Sequence, residues 1–288
     1  ADGLAAGKGV VVCESLDQAL GALAEMMLEK KFGSAGERVV IEEYLNGEEA
    51  SVFAIADGSD FFLLAPAQDH KRILDNDMGK NTGGMGAYAP APLIDAELIE
   101  RITNEVIRPT LEGMRKEGTP YRGCLYCGLM VTTSGPKLLE YNCRFGDPEA
   151  QAVIPLFDGD FARLLMSAAE GKLNANGARL HTGSAVCVVM ASRGYPDEYE
   201  TGNKISGLDA FRGRDDVVVF HAGTQRRGND VVTTGGRVLG VTAIGFAQDI
   251  EATVEQAYRA VETISFDGAQ YRRDIGRKAL NRLQRSLQ

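Results

Sequence analysis

Helical and strand-like hydrophobic periodicities alternate along the 288-residue chain. Apolar residues recur at helical spacing from Leu16 to Met27, behind a capping box that Ser15 opens, which predicts a helix that ends at Gly33. The same spacing predicts four more helices: from Asp95 to a kink or restart at Pro109, from Asp160 to Gly171, over residues 249–264, and from Tyr271 to the end.

Short apolar runs bounded by turn residues predict strands. In chain order they are 39–44, 50–56, 61–65, 125–133, 137–142, 184–192, 217–223, 230–234 and 237–245. The pairs Asp57-Gly58, Ser134-Gly135 and Gly235-Gly236 predict tight turns between neighbouring runs. Residues 68–92 show no periodicity, which predicts a long functional loop, and 174–182 predict a linker. Strands dominate and hairpins are many, so the predicted fold class is α+β.

Charge and composition narrow the possible partners. The net charge of −9 argues against nucleic acid or an anionic membrane surface as the main partner. The longest purely apolar stretch, 185–191, is too short for a membrane span. No secretion signal is visible and the five cysteines are scattered, so we expect reduced thiols and a cytoplasmic protein.

The chain opens on a glycine-rich stretch with Gly7, Lys8 and Gly9 before an apolar run. Small residues let backbone N–H groups approach phosphate oxygens, and a lysine adds charge. The Walker A pattern is absent, because Gly9 stands where that motif needs Ser or Thr. The residues alone leave two interpretations open, a phosphate-binding loop and a plain hairpin turn.

Glu140 and Asn142 are two residues apart in a predicted strand, so they share one face and offer two oxygen ligands to a hard cation such as Mg²⁺. Arg144 and Asp147 follow directly, around a turn glycine. This combination indicates either a pocket for a zwitterion or phosphate, or a salt-bridged turn.

The long loop carries two further polar segments, 69–72 and 81–88. Lys71 and Arg72 are suited to holding phosphates, and the alternative is a flexible glycine-rich loop. Glu42 and Glu43 stand at the end of a predicted strand, where a charged strand end is the simpler interpretation.

Taken together, these segments resemble the phosphoribosylamine–glycine ligase family of the ATP-grasp superfamily. The resembling segments include ADGLAAGKGV (1–10), VVIEEYLNGEEAS (39–51), QDHKR (68–72), NTGGMGAYAPAP (81–92), LLEYNCRFGDPEAQ (138–151), VVTTGGRVLGVTA (231–243) and RRDIG (272–276). The stretch at 144–149 is the most diagnostic. The resemblance implies a partial small ATP-grasp lobe over 1–48, a large catalytic lobe over 49–178 and a β-rich C-terminal domain over 179–288.

The resemblance also implies a reaction. ATP, glycine and 5-phosphoribosylamine would give glycinamide ribonucleotide, ADP and phosphate through a glycyl phosphate, with Mg²⁺ or Mn²⁺, in purine biosynthesis. Two alternatives stay open: another ATP-grasp carboxylate–amine ligase, such as a biotin-carboxylase relative, and a non-catalytic nucleotide-binding fragment.

Site residues follow from the same resemblance, position by position. The implied metal ligands are Glu140 and Asn142. The implied ATP contacts are Gly7, Lys8 and Gly9 over the triphosphate, Glu42, Glu43 and Leu45 at adenine, and Glu49 at the ribose. Arg144 and Asp147 are the implied catalytic pair, for the glycine carboxylate and ammonium. The implied substrate-cleft residues are His70, Lys71, Arg72, Asn81, Thr82, Gly83, Gly84 and Gly86.

The sequence departs from the family at its start. The family carries an N-terminal domain and a lysine-bearing strand before the position of Ala1, and neither stands in this chain. We therefore expect a monomeric C-terminal portion that needs the upstream part for a complete site and that is inactive or very weak alone.

Overall fold

The computed structural model describes residues 1–5, 9–247 and 249–286, which form two units, Ala1–Asn46 and Gly47–Gln288. The three-domain division expected from the sequence stays a prediction. None of the helices in the described part combines the length and apolar composition needed to cross a lipid bilayer.

The first unit is built around helix α1 (Leu16–Leu23), which Ser15 caps by accepting a hydrogen bond from the Gln18 amide at 3.3 Å. The helix continues as a π turn (Ala24–Leu28), so it ends before the predicted Gly33. The strand predicted over 39–44 is wrong. A strand exists only when a neighbour pairs with its backbone, and no strand in the described residues pairs with this segment, where Ile41 is 83% exposed.

The second unit contains the remaining α-helices and all the strands of the described residues. Its helices in chain order are α2 (Ala96–Ile102), α3 (Arg108–Lys116), α4 (Glu149–Val153), α5 (Phe161–Ala169), α6 (Ile250–Thr263) and α7 (Arg277–Ser286). Its strands in chain order are β1 (Glu48–Asp57), β2 (Phe61–Leu63), β3 (Gln68–Asp69), β4 (Arg72–Leu74), β5 (Met78–Asn81), β6 (Gly86–Ala89), β7 (Arg122–Thr132), β8 (Gly135–Asn142), β9 (Phe157–Asp158), β10 (Arg179–Leu180), β11 (Ser184–Ala191), β12 (Lys204–Ile205), β13 (Val217–His221), β14 (Thr224–Arg227), β15 (Asp230–Thr233) and β16 (Arg237–Gly245).

Two antiparallel sheets organise this unit, one in the order β2-β1-β7-β8 and the other in the order β13-β16-β11-β6-β3. Side chains alternate along β1, so Phe53 packs with α4 and α5 between the sheets while Val52 packs with α2 and α3 on the outer face. Along β11, Cys187 faces the inner layer and Val188 faces α6. The result is a layered α+β architecture, as predicted.

Several local predictions are confirmed. The hairpins β1–β2 and β7–β8 form where the turn pairs stand. Asp95 caps α2 by accepting from the Leu98 amide at 2.8 Å. A π turn (Thr103–Ile107) joins α2 to α3, and Pro109, which has no N–H to donate, stands directly after it in the first turn of α3.

Three predictions need correction. The loop predicted over 68–92 contains β3 to β6. Within it β4 pairs with β5 and β3 pairs with β6, and β6 also pairs with the distant β11, as Tyr88 does with Val186. The linker predicted over 174–182 contains β10, which pairs with β9. The last helix begins at Arg277 rather than Tyr271, because the preceding residues are tied to the chain near Asp75.

Candidate active site

The register of the first sheet brings polar side chains onto one face. Ser51 of β1 lies opposite Gly128 of β7, and Gly128 lies opposite Glu140 of β8. Directly opposed residues in an antiparallel sheet point to the same side. Asn142 shares this face and donates a hydrogen bond from Nδ2 to the Glu140 Oε1 at 3.2 Å. Gly128 leaves the space, since a Cβ there would lie 3.2 Å from the Glu140 Cγ.

Lys71 supplies the positive charge of this face. Its ammonium forms an ion pair with the carboxylate of Glu49, which lies two residues before Ser51 in β1. Burial opposes the charged form, but the negative charges of Glu49, Asp69 and Glu140 outweigh it and raise the pKa of Lys71. Lys71 therefore stays cationic within an acidic cluster.

A buried acid lies beside the cluster. Glu149 of α4 is 3% exposed and accepts a hydrogen bond from the Ser51 hydroxyl at 3.2 Å. Burial and the Glu149 charge raise the pKa of Asp69 to about 7. The Asp69 Oδ1 atom is buried and has no hydrogen-bond partner in the described residues. Asp69 is therefore a carboxyl group that titrates near neutrality.

His70 occupies a different environment from Lys71. Its ring is 1% exposed, packs 5.8 Å from the Tyr88 ring, and neither ring nitrogen has a hydrogen-bond partner in the described part of the chain. Burial and the nearby charge of Arg272 lower its pKa to about 4, so the ring is neutral at pH 7. The structure thus places His70 in the core, and its predicted substrate contact stays a prediction.

The predicted loop residues lie between Lys71 and the second sheet. Thr82 donates to the Lys71 carbonyl from its amide at 2.7 Å and from its hydroxyl at 2.9 Å. Gly84 has φ +109°, and a Cβ on it would lie 2.3 Å from the Pro148 Cδ. A Cβ on Gly86 would lie 2.6 Å from the Cys187 carbonyl oxygen. These glycines are needed for close backbone approach. Asn81 and Gly83 are exposed on the same segment.

Sequence reasoning missed Arg237, the first residue of β16. Its guanidinium donates to the Asp147 carboxylate at 3.1 and 2.9 Å and to the Gly83 carbonyl at 2.7 Å. Gln151 also donates to the Asp147 Oδ1, at 2.9 Å. The only local signal was a single arginine after the glycine pair that precedes an apolar strand.

The side chains of Arg144 and Asp147 differ in their hydrogen bonds. The Arg144 side chain is exposed and donates to the Phe145 carbonyl at 2.8 Å, so it is close to solvent. Both Asp147 oxygens already accept hydrogen bonds from Arg237. The predicted contacts of these two residues with the glycine carboxylate and ammonium stay predictions.

The ATP contacts predicted from the first unit are placed as follows. Glu42 and Glu43 are exposed and Leu45 is half-buried, in a segment without regular secondary structure. Gly9 is buried and its carbonyl accepts from the amino group of Ala1 at 2.8 Å. The predicted positions 7 and 8 lie outside the described residues.

The donor set fits a divalent cation shared with phosphates. No group of three or more His, Cys, Asp or Glu side chains is arranged for a metal within residues 1–5, 9–247 and 249–286. Glu140 and Asn142 offer two oxygens on one face, and Mg²⁺ in nucleotide enzymes takes one or two carboxylates together with substrate phosphates.

The layered fold and this acidic face define an ATP-grasp protein, a class that implies ATP and a divalent metal. A family model for the phosphoribosylglycinamide synthetase ATP-grasp (A) domain matches residues 1–150, and one for the C domain of the same enzyme matches residues 185–278. The chain belongs to the phosphoribosylglycinamide synthetase family.

Individual relatives agree. The chain is 52% identical over 280 residues to a phosphoribosylamine–glycine ligase of Chlorobaculum tepidum, covering 97% of this chain and 65% of that protein. It is 48% identical to the trifunctional purine biosynthetic protein adenosine-3 of Homo sapiens, covering 99% of this chain and 28% of that protein. The chain thus spans about 65% of the length of the bacterial relatives.

Solved structures show the same fold. The crystal structure of phosphoribosylamine–glycine ligase from Thermotoga maritima matches with a TM-score of 0.81 and 36% identity, over 96% of this chain and 67% of that one. A biotin carboxylase domain of the 2-oxoglutarate carboxylase of Hydrogenobacter thermophilus matches with a TM-score of 0.64 at 18% identity, over 92% of this chain and 56% of that one, which shows the fold alone.

Proposed function

We propose that this chain supplies the catalytic lobe of an ATP-dependent phosphoribosylamine–glycine ligase in purine biosynthesis. The observation that carries the proposal is the shared face of β1, β7 and β8, on which Glu49, Glu140 and Asn142 lie beside the cationic Lys71. Relatives at about 50% identity are named as this ligase, which supports the substrate assignment.

The proposed reaction has two steps. The glycine carboxylate attacks the γ-phosphorus of ATP, which gives glycyl phosphate and ADP. The amine of 5-phosphoribosylamine then attacks the glycyl carbonyl, the C–O bond to phosphate breaks, and the amine loses a proton. The first step brings a carboxylate to an anionic triphosphate, so it depends on positioning and on charge neutralisation. The second step depends on positioning of the amine at the glycyl carbonyl.

Different residues of the chain would bind the metal, the substrates and ATP. Glu140 and Asn142 would hold Mg²⁺ or Mn²⁺, which when bound neutralises charge on the ATP phosphates. Lys71 and Arg72 would bind the anionic substrate groups, with the Asn81–Gly86 segment lining the cleft. Arg144 would orient the glycine carboxylate. Glu49 would hold the ribose of ATP, and Glu42, Glu43 and Leu45 would contact adenine.

A second candidate has one observation in its favour. Because the chain spans about 65% of its bacterial relatives, it would act as a nucleotide-binding portion that turns over only together with the upstream part. In that case we expect a cytoplasmic monomer that binds ATP and hydrolyses little of it.

ADP release tests the proposal. The purified chain receives Mg²⁺-ATP with glycine and freshly generated phosphoribosylamine, and each substrate is omitted in turn. Release that needs both substrates supports the ligase and shows that the chain is sufficient. Absence of release, with turnover once the upstream part is added, supports the second candidate. Release that needs a different carboxylate contradicts both.

A further inference from the structure

Arg237 joins two segments that are distant in sequence. Its Nη1 donates to the Gly83 carbonyl at 2.7 Å and to the Asp147 carbonyl at 2.9 Å, across separations of 154 and 90 residues. Nη1 and Nη2 also donate to the Asp147 carboxylate, at 3.1 and 2.9 Å. One guanidinium therefore fixes two backbone positions and one side chain.

The surroundings hold the guanidinium in this position. The Arg237 side chain is 23% exposed, and a Cβ on Gly83 would lie 3.0 Å from its Cζ. The Gly83 amide donates to the Tyr195 hydroxyl at 3.0 Å, so that residue is held from both sides. Gly84 packs against Pro148, the neighbour of Asp147. The two segments thus touch at Gly84 and Pro148, and the hydrogen bonds of Arg237 join them a second time.

The hydrogen bonds made by residue 237 require an arginine. Its planar fork carries donors that reach a carboxylate in a bidentate manner and a carbonyl at the same time, which the compact ammonium of lysine does not reproduce. Both bridged segments belong to the proposed substrate cleft. Gly83 lies in the Asn81–Gly86 segment, and Asp147 lies in the turn after Arg144.

We propose that Arg237 is a positioning residue that locks the Gly83 and Asp147 segments in the arrangement that binds the amino-acid substrate. The substrate part of this inference rests on the proposed function. Arg237 acts on affinity for glycine through these segments and has no part in binding the nucleotide.

The test compares Arg237→Ala and Arg237→Lys with Arg214→Ala in the full chain. Arg214 is the matched control, because it makes a bidentate ion pair with Asp216 at 2.9 and 2.7 Å and is exposed. Hydrogen exchange of the Gly83 and Gly84 amides measures positioning. Calorimetric titration with glycine and with Mg²⁺-ATP measures binding, and the melting temperature measures general stability.

We expect Arg237→Ala to speed exchange of the Gly83 amide and to weaken glycine binding, each by about tenfold or more, since each lost charged hydrogen bond is worth about that factor. Arg237→Lys should recover only part of both. ATP affinity and the melting temperature should stay close to those of Arg214→Ala.

Three results would overturn the proposal: unchanged exchange in Arg237→Ala, full recovery by lysine, or equal losses of glycine binding, ATP binding and stability. If the unaltered chain binds no glycine, the proposed function fails for this chain by itself. The exchange measurement still decides whether Arg237 positions the two segments.

Discussion

The guanidinium of Arg272 donates two parallel hydrogen bonds to the Asp274 carboxylate, both 2.7 Å long. Its Nη1 reaches the Asp77 Oδ1 at 2.8 Å and the Arg72 carbonyl at 3.1 Å. Arg272 is 1% exposed. This buried arginine therefore ties the segment that carries Arg72 to the chain before α7, about 200 residues away.

Replacing Arg272 by Met should lower the free energy of unfolding by about 3–5 kcal/mol, because it leaves the buried Asp274 carboxylate without its cationic partner. Asp274 is 7% exposed, whereas Asp77 is 39% exposed and keeps its ion pair with Lys278 at 2.7 Å. Urea denaturation followed by circular dichroism measures the change.

Arg193→Met is the control for this change. Arg193 also contacts two acids, Asp267 at 3.0 Å and Glu200 at 3.6 Å, but its side chain is 58% exposed. Exposed ion pairs contribute about 0–1 kcal/mol, so this variant should unfold almost as the unaltered chain does. Equal losses in the two variants would show that burial of Arg272 does not determine its contribution.

Local signals predicted the elements that depend on neighbouring residues. The β7–β8 hairpin forms at Ser134-Gly135, and Asp160 caps α5 by accepting from the Arg163 amide at 2.9 Å. By contrast, β6 is buried on both faces and has glycine at its start, so no alternation marks it. It lies between β3 and β11, and no local window of the sequence contains both β6 and its partner β11, about 100 residues later.

The residues of the candidate site also fall into those that local sequence predicts and those that depend on distant partners. Glu140 and Asn142 were predicted together because a spacing of two places them on one face, and the structure joins them by a hydrogen bond. Arg237 and Asp147 could not be paired in advance, because each is an ordinary charged residue until the second sheet brings them together. The spacing of residues along a strand predicts which side chains share a face. Tertiary packing determines which distant residues lie next to that face.

Glu140→Gln should weaken Mn²⁺ binding in the presence of ATP by about tenfold or more, because a neutral amide replaces the single carboxylate of the pair. Electron paramagnetic resonance of free Mn²⁺ measures the change. Glu112→Gln, on the exposed face of α3 in an ion pair with Lys116, should bind Mn²⁺ as before. Unchanged binding in Glu140→Gln would remove Glu140 from the metal site.

Two glycine substitutions should have opposite effects on stability. Gly84→Ala adds a methyl group 2.3 Å from the Pro148 Cδ at φ +109°, so it should destabilise the chain by more than about 1 kcal/mol. Gly113 lies within α3 with nothing within 4 Å of an added Cβ, so Gly113→Ala should stabilise it by about 0.5–1 kcal/mol. Thermal denaturation of the two variants, each against the unaltered chain, compares them. A stable Gly84→Ala would mean that the segment near Pro148 moves freely.

Asp69 and His70 should make opposite contributions to the pH dependence of stability. The pKa of His70 falls from 6.5 to about 4 on folding, so between these values the unfolded chain binds the extra proton and stability rises with pH. The pKa of Asp69 rises from 3.8 to about 7, so over that range the folded chain binds the extra proton and stability falls with pH.

In the unaltered chain these two opposite pH dependences of stability partly cancel, so each single variant should show one of them. In Asp69→Asn only the His70 contribution remains, and unfolding free energy should rise by about 3 kcal/mol from pH 4 to 6.5 relative to the double variant Asp69→Asn with His70→Leu. In His70→Leu only the Asp69 contribution remains, so the unfolding free energy should fall as the pH rises towards 7. Urea denaturation at half-unit pH steps gives each curve. Other titrating groups are common to the variants and cancel in the comparison, so parallel curves would show that neither proton affinity is altered by folding.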